Sequence, residues 1–158
     1  MFSNIKNNSQ ITTIKQSVMK SLHLEPTLNT PEFLFDVENL KLSLSGVSEI
    51  EKEDLYYPTI TNFIDEIEAS KPIRLSCVFD FDILCRTSKR GLLFFLLRLK
   101  DLQTNCGTHL IVNWVCNPGN SLIKTIGLNL DYMVRLKINF IDKDLPENKV
   151  EEVGELVF

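Results

Sequence analysis

Cys85-Arg86-Thr87-Ser88-Lys89-Arg90-Gly91, followed at once by Leu92-Leu93-Phe94-Phe95-Leu96-Leu97, is the stretch on which the reading of this chain turns. An apolar run ends at Leu84, a pair of hydroxyl residues follows, and a second apolar run begins, which is the pattern of a strand handing over to a helix. The oxygen of Thr87 or Ser88 is placed to cap that helix by accepting a bond from a backbone N–H left free in its first turn. A helix lying on a sheet needs only one apolar stripe. At about 3.6 residues per turn, Leu92, Phe95 or Leu96, Leu99 and Leu102 supply it. Leu93, Phe94 and Leu97 fall on the flank, and that flank turns polar further on, at Lys100, Asp101 and Thr104. The surplus apolar surface is therefore confined to the first turns of the helix, beside Thr87. Two uses are open: cover by a neighbouring helix or an N-terminal extension, or a docking patch with a modifiable hydroxyl at its edge.

Immediately upstream, Ile73, Leu75, Cys77, Phe79 and Phe81 alternate with Arg74, Ser76 and Asp80, while Val78 breaks the polar side. This predicts a strand over residues 73–81, nearly buried on both faces, at the centre of a sheet. Before it, Ile60, Phe63, Ile64 and Ile67 mark a helix from about 55 or 58 to 69, with Asp54 as N-cap, Pro58 in the first turn and Pro72 beyond its end. Residues 33–35 and 40–44 read as strands separated by turn formers, and so short a connection permits only an antiparallel hairpin. Downstream, the helix over 88–103 stops at Asn105-Cys106-Gly107, and a strand follows at 110–115. A weaker helix over 120–126, stopped by Gly127, leads to an edge strand over 134–141, where Val134, Leu136, Ile138 and Phe140 alternate with polar residues.

The order predicts an α/β fold: a mixed, largely parallel sheet of about five strands with an N-terminal antiparallel hairpin and about three helices. It occupies residues 29–142. Residues 1–28 form a polar N-terminal extension in which Ile11, Ile14, Val18 and Leu22 recur at helical spacing, and residues 143–158 form an acidic C-terminal tail.

Composition narrows the function by exclusion. Of 158 residues, 44% are apolar and 24% charged, as in ordinary globular domains. A net charge of -4, with Arg86, Lys89 and Arg90 the only local basic cluster, argues against nucleic acid as a partner. No window reaches the roughly 18 apolar residues of a membrane span, and the first residues lack the apolar core of a secretory signal. Cys77, Cys85, Cys106 and Cys116 contain no CxxC pair, and His23 and His109 lie far from metal-ligand spacing. Reduced thiols, a cytoplasmic location and neither metal nor cofactor are expected. Phosphate-binding glycine loops, a GxSxG elbow and HExxH are missing from the sequence. Asp80 and Asp82 read as strand-end carboxylates, His109 as a loop residue and Trp114 as core or rim packing. No enzymatic activity is expected.

The segment 30–36 (Thr-Pro-Glu-Phe-Leu-Phe-Asp), the Leu-Ser-Leu-Ser-Gly run at 42–46, Thr87-Ser88 before a leucine-rich helix, and Val112-Asn113-Trp114 together resemble the SiaC family of bacterial regulatory phosphoproteins. The interval from Thr87 to Trp114 fits without a gap, and the resemblance covers about residues 29–142. It implies a fold similar to the anti-sigma-factor antagonist (STAS) domains. It also implies a non-enzymatic switch, phosphorylated on a threonine by a dedicated kinase, dephosphorylated by a PP2C-type phosphatase, and bound to a diguanylate cyclase when unphosphorylated. The family's Asn-Thr-Ser-Ser-x-Lys falls on residues 86–91, where Thr87 and Ser88 match while Arg86, Lys89 and Gly91 depart.

The resemblance thus points to Thr87 as the phosphorylation site, with Ser88 as alternative. The charges suggest Arg86, Lys89 and Arg90 as phosphate partners, and the pattern suggests Leu93, Phe94 and Leu97 as the docking surface. Two alternatives stand beside this: a homodimer or larger assembly that covers the patch permanently, and a small-ligand domain using Asp80, Asp82 and the loop at 116–120.

Overall fold

The alternating pattern of residues 74–84 becomes the longest strand of the protein, β4 (Arg74–Leu84), in a computed structural model that describes residues 19–51 and 54–143. Leu75, Cys77, Phe79, Phe81 and Leu84 point into the core. The other face is only half covered at Ser76, Val78 and Asp80, so β4 is sealed on one side and not on both. Beside it lie β3 (Lys41–Ser48) and β5 (His109–Cys116), both parallel to it. β6 (Asn139–Asp142) extends the parallel part, while β1 (Leu22–Leu24) and β2 (Glu32–Asp36) add antiparallel strands at the other edge. The six strands stand in chain order. The expected hairpin is β2–β3. The sixth strand is β1, which draws the end of the expected 1–28 extension into the sheet. Leu22 therefore belongs to a strand and not to a helix, and the rest of that proposed helix, residues 11–18, lies outside the described residues.

Three crossovers carry α1 (Tyr56–Ala69), α2 (Arg86–Cys106) and α3 (Ser121–Val134). Because each steps to the next strand in the same direction and such connections are right-handed, all three helices lie on one face. One core fills the space between, with Phe33, Phe79, Phe95 and Trp114 at its centre and their rings largely edge-on or tilted. The opposite face keeps Leu34, Ile111 and Ile141 exposed.

Two expectations are corrected at the C-terminal side, each for a local reason. α3 continues through Gly127 to Val134. A Cβ at Gly127 would stand 2.6 Å from the Trp114 ring, so this glycine serves close packing and not termination. The predicted strand over 134–141 shrinks to Asn139–Asp142. Val134 closes α3, and Arg135 and Lys137 adopt positive φ (60° and 58°). This alternation turns Leu136 and Ile138 inward without strand pairing, and it reproduces the period-two pattern of a strand. Asp131 steadies the turn, its backbone carbonyl and carboxylate accepting from Arg135 N and Ile138 N.

Gly127→Ala tests the packing of α3 on the sheet. On helix propensity alone the exchange should stabilise by about 1 kcal/mol, but overpacking against Trp114 should instead lower the unfolding free energy by about 1–3 kcal/mol. Urea unfolding followed by Trp114 fluorescence decides the sign.

Candidate functional site

The candidate site is the start of α2, where β4 ends. Its N-cap is Cys85, with extended backbone (φ -78°, ψ 172°), and not Thr87 or Ser88 as expected. The Cys85 sulfur accepts from Ser88 N at 3.4 Å, taking the role usually given to oxygen. The helix therefore begins two residues earlier than the hydroxyl pair suggested and runs to Gly107, whose φ of 66° provides the expected stop. Thr87 and Ser88 lie inside the first turn.

The two neighbouring hydroxyls face opposite environments. Ser88 is fully buried, and its Oγ accepts from Ser48 Oγ at 2.7 Å and from Ile50 N at 3.3 Å. Ser48 in turn bonds to the Tyr57 hydroxyl at 2.9 Å. The network ties the end of β3, the start of α1 and the start of α2 together. Thr87 is half-exposed and its hydroxyl takes no part in that network.

Cys85 lies beside it, with Sγ 3.3 Å from Ser88 Oγ. Burial works against its thiolate, but hydrogen bonding with the Ser88 side chain and with the backbone of Ser88, Ile50 and Thr87 outweighs this and holds the thiol below its ordinary range. Tyr57 is pushed the other way, far above the usual phenol range, chiefly by burial.

Around Thr87 the three basic residues remain at the surface, Arg86 and Arg90 exposed and Lys89 half-buried. None of them forms an ion pair among the described residues. They rim a groove of about 320 Å³ between α2 and α3, with Leu93, Leu130 and Met133 among the residues below them. Leu93 is thus partly covered by the protein itself. Phe94 and Leu97 keep 56% and 41% of their surface exposed, with Phe94 on the flank of α2 toward α1. There a smaller hollow of about 210 Å³ lies between Pro58, Thr61, Gly91 and Phe94. Gly91 permits it: a Cβ would meet the root of the Tyr57 side chain at 2.6 Å, so α1 sits closer to α2 than any larger residue here would allow. Sequence periodicity puts Leu93, Phe94 and Leu97 on one flank; in the structure Leu93 lines the groove beside α3, Phe94 lines the hollow beside α1, and Leu97 lines neither.

The groups considered for chemistry do not converge. Asp80 faces the uncovered side of the sheet, 3.8 Å from Lys143. Asp82 is exposed beside the shift of register between Gly46 and Val47, which leaves it without a partner on β3. Near the 116–120 loop, Asn120 Nδ2 donates to Asp82 O and not to its carboxylate. Among the described residues no three His, Cys, Asp or Glu side chains gather to hold a metal ion, and no helix is long and apolar enough to cross a membrane. Trp114 is core, its Nε1 donating to Ile123 O at 3.1 Å.

The start of α2 thus combines, on a one-sided α/β sheet, a helix N-terminus, cations without ion-pair partners among the described residues, and exposed apolar side chains. The SiaC family regulatory phosphoprotein model matches residues 24–143, and the chain belongs to that family. Among solved structures, apo-SiaC from Pseudomonas aeruginosa superposes with a TM-score of 0.68 at 17% identity, over 80% of this chain and 100% of that one. A chain in the structure of the diguanylate cyclase SiaD in complex with its activator SiaC, from the same organism, gives 0.70 at 16% identity, over 77% of this chain and 99% of that one. A further SiaC structure from Pseudomonas aeruginosa gives 0.62 at 18%, over 80% and 98%. A sequence comparison with curated proteins returns no match.

Ser88→Ala should have two separable effects. It leaves the Ser48 hydroxyl and Ile50 N–H without their buried acceptor, so unfolding free energy should fall by about 1–3 kcal/mol. It also removes a bond that favours the Cys85 thiolate. In the parent, alkylation of Cys85 followed by peptide mass spectrometry should therefore show a pH midpoint below the ~8.5 of an ordinary thiol. The midpoint should move upward in the variant, and an unchanged profile would contradict the assignment. Because folding depresses this pKa, its contribution to stability is present at pH above the ordinary thiol range and is lost as pH falls through the depressed value.

Proposed function

We propose that this protein is a non-enzymatic switch in which phosphorylation of Thr87 controls the docking of a signalling partner on the start of α2. The observation that carries the reading is the placement of Thr87: half-exposed in the first helical turn, uninvolved in the buried hydroxyl network, and adjacent in sequence to cations that lack ion-pair partners among the described residues. Burial of Ser88 favours Thr87 over it as the modified residue, since a kinase must reach the hydroxyl. SiaC of Pseudomonas aeruginosa activates the diguanylate cyclase SiaD and is found in complex with it. Membership of the same family supports a diguanylate cyclase as partner here and a role in cyclic-di-GMP signalling. A cognate kinase and a PP2C-type phosphatase would set the state of Thr87, with the whole circuit cytoplasmic.

The physical basis is charge at a defined place. A phosphate adds about -1.5 to -2 charge and three acceptor oxygens. At a helix N-terminus the backbone dipole and free N–H groups favour that charge, and Arg86, Lys89 and Arg90 are near enough in sequence to pair with it. The modified protein should therefore stay folded. A partner seated on Phe94 and Leu97, with Leu93 at its margin, would have to desolvate the phosphate or supply cations for it, and burying an unpaired charge costs several kcal/mol. Even ~3 kcal/mol weakens binding more than a hundredfold.

Thr87→Ala should bind a diguanylate cyclase from the same cells with unreduced affinity, Thr87→Asp at least tenfold more weakly, and the stoichiometrically phosphorylated protein about a hundredfold more weakly, by calorimetric titration. Mapping of the protein purified from its native cells should place a phosphate on Thr87. Equal affinities for the three forms would sink the switch, and phosphate found only elsewhere would sink the site.

A further inference from the structure

The groove between α2 and α3 has an asymmetric chemistry that calls for a particular kind of occupant. Its α2 rim is cationic, at Arg86, Lys89 and Arg90. Its α3 side is mostly apolar, with Ile126, Leu130 and Met133 beside the one amide of Asn129, and Met133 keeps 55% of its area accessible. A ligand that satisfies both sides carries carboxylates interleaved with aliphatic or aromatic side chains. Neither a bare anion nor a neutral apolar segment would do so.

The chain itself contains such a segment. Residues 144–158 carry Asp144, Glu147, Glu151, Glu152 and Glu155 against the single base Lys149, interleaved with Val150, Val153, Leu156, Val157 and Phe158. The segment lies beyond the family match, which ends at 143. It also starts at the correct end of the molecule. Lys143 N is bonded to Cys116 O, at the end of β5, and Asn120, which caps α3, bonds to Asp82 O near the end of β4. The end of β6 and the starts of α2 and α3 therefore share one edge of the sheet. At about 3.3 Å per extended residue, the fifteen residues 144–158 have a contour length of up to about 50 Å, several times the ~10 Å spacing of packed helices.

Two competing arrangements are less favourable. Residues 1–18 contain no acidic residue and would leave the cations unmatched. On the uncovered face of the sheet, where β6 ends, Lys143 is already paired with Asp80 at 3.8 Å and is not a free partner for an acidic segment. We infer that the acidic segment 144–158 docks within its own chain into the α2–α3 groove, its glutamates on the Arg86, Lys89 and Arg90 rim and its apolar side chains toward Leu93 and Met133. Docking there covers Leu93 and leaves Phe94, on the flank of α2 toward α1, accessible. It does not require Thr87 to be modified.

Lys89 makes this testable, because it is the one lysine among the groove's lining residues. The full chain, mixed as equal parts of natural-abundance and nitrogen-15-labelled protein, is treated with a carbodiimide and its linked peptides are mapped. Links from Lys89 to Glu151, Glu152 or Glu155 should dominate those from the exposed Lys41 and Lys71, join like-labelled peptides only, and keep the same yield on tenfold dilution. The double variant Arg86→Ser with Arg90→Ser alters exposed side chains and creates no new carboxylate. It should reduce the Lys89 links at least fivefold at an unchanged melting temperature. Links between differently labelled peptides would make a second copy the occupant and overturn docking in cis. Links directed to Lys41 or Lys143, an absence of Lys89 links, or an unaffected yield in the variant would each overturn the groove as the site.

Discussion

Burial of the Ser88 hydroxyl fixes the rotation of α2, and the rest of the site follows from it. Successive residues of a helix are about 100° apart, so holding residue 88 against Ser48 and Ile50 sends Leu92, Phe95, Leu96 and Leu99 into the core. The same rotation leaves Phe94 and Leu97 outside. A buried hydroxyl left without partners would cost more than the bonds contribute net, since water satisfies the same groups in the unfolded chain. The network therefore acts less as a source of stability than as a condition on geometry: only one rotation of α2 satisfies Ser48 and Ile50 N together. The shift of register between Gly46 and Val47 belongs to the same arrangement, because it adjusts the end of β3 against β4 just where Ser48 meets the helix.

The fold was legible wherever burial and secondary structure carry the same periodicity. Alternation gave β2 and β4, and the three-four spacing of Ile60, Ile64 and Ile67 gave α1, because each face of those elements meets one environment. The reading failed where one pattern has two causes. Val134, Leu136 and Ile138 alternate because the backbone passes through positive φ at Arg135 and Lys137, which no hydrophobicity pattern distinguishes from a pleated strand. Gly127 carries the signature of a helix stop, yet its reason is an indole that approaches from another element. β1 was missed because three residues are too few for alternation to register, and its partner strand supplies the pairing.

The site was legible in outline for a different reason. Surplus apolar surface shows in sequence because the core's requirement for a helix can be counted, and what exceeds it must be covered or exposed. How it is shared was not visible: Leu93 turns toward α3, while Phe94 borders the hollow beside α1. That division depends on the distance between α1 and α2, which Gly91 sets through its contact with Tyr57. A cysteine N-cap was also out of reach, since sulfur is a weak acceptor and the hydroxyl pair beside it is the stronger signal.

The adjacency of Thr87 and Ser88 separates two demands that one residue could not meet. A hydroxyl that anchors a helix start must be buried and bonded, and phosphorylating it would force a dianion into the core at the expense of the fold. A hydroxyl that serves a switch must be reachable, and its modification must leave the backbone where it was. With the first task on Ser88 and Thr87 outside the buried network, the proposed phosphorylation of Thr87 would change the surface by about two charges while the anchor beside it stays intact. In the proposed switch, control then acts on what the surface can bury against a partner, and the free energy of folding is largely uninvolved. This also accounts for why the surrounding cations belong at the rim: pairing with phosphate in solvent stabilises the modified form modestly, whereas the partner that must exclude that solvent meets the full cost of desolvation.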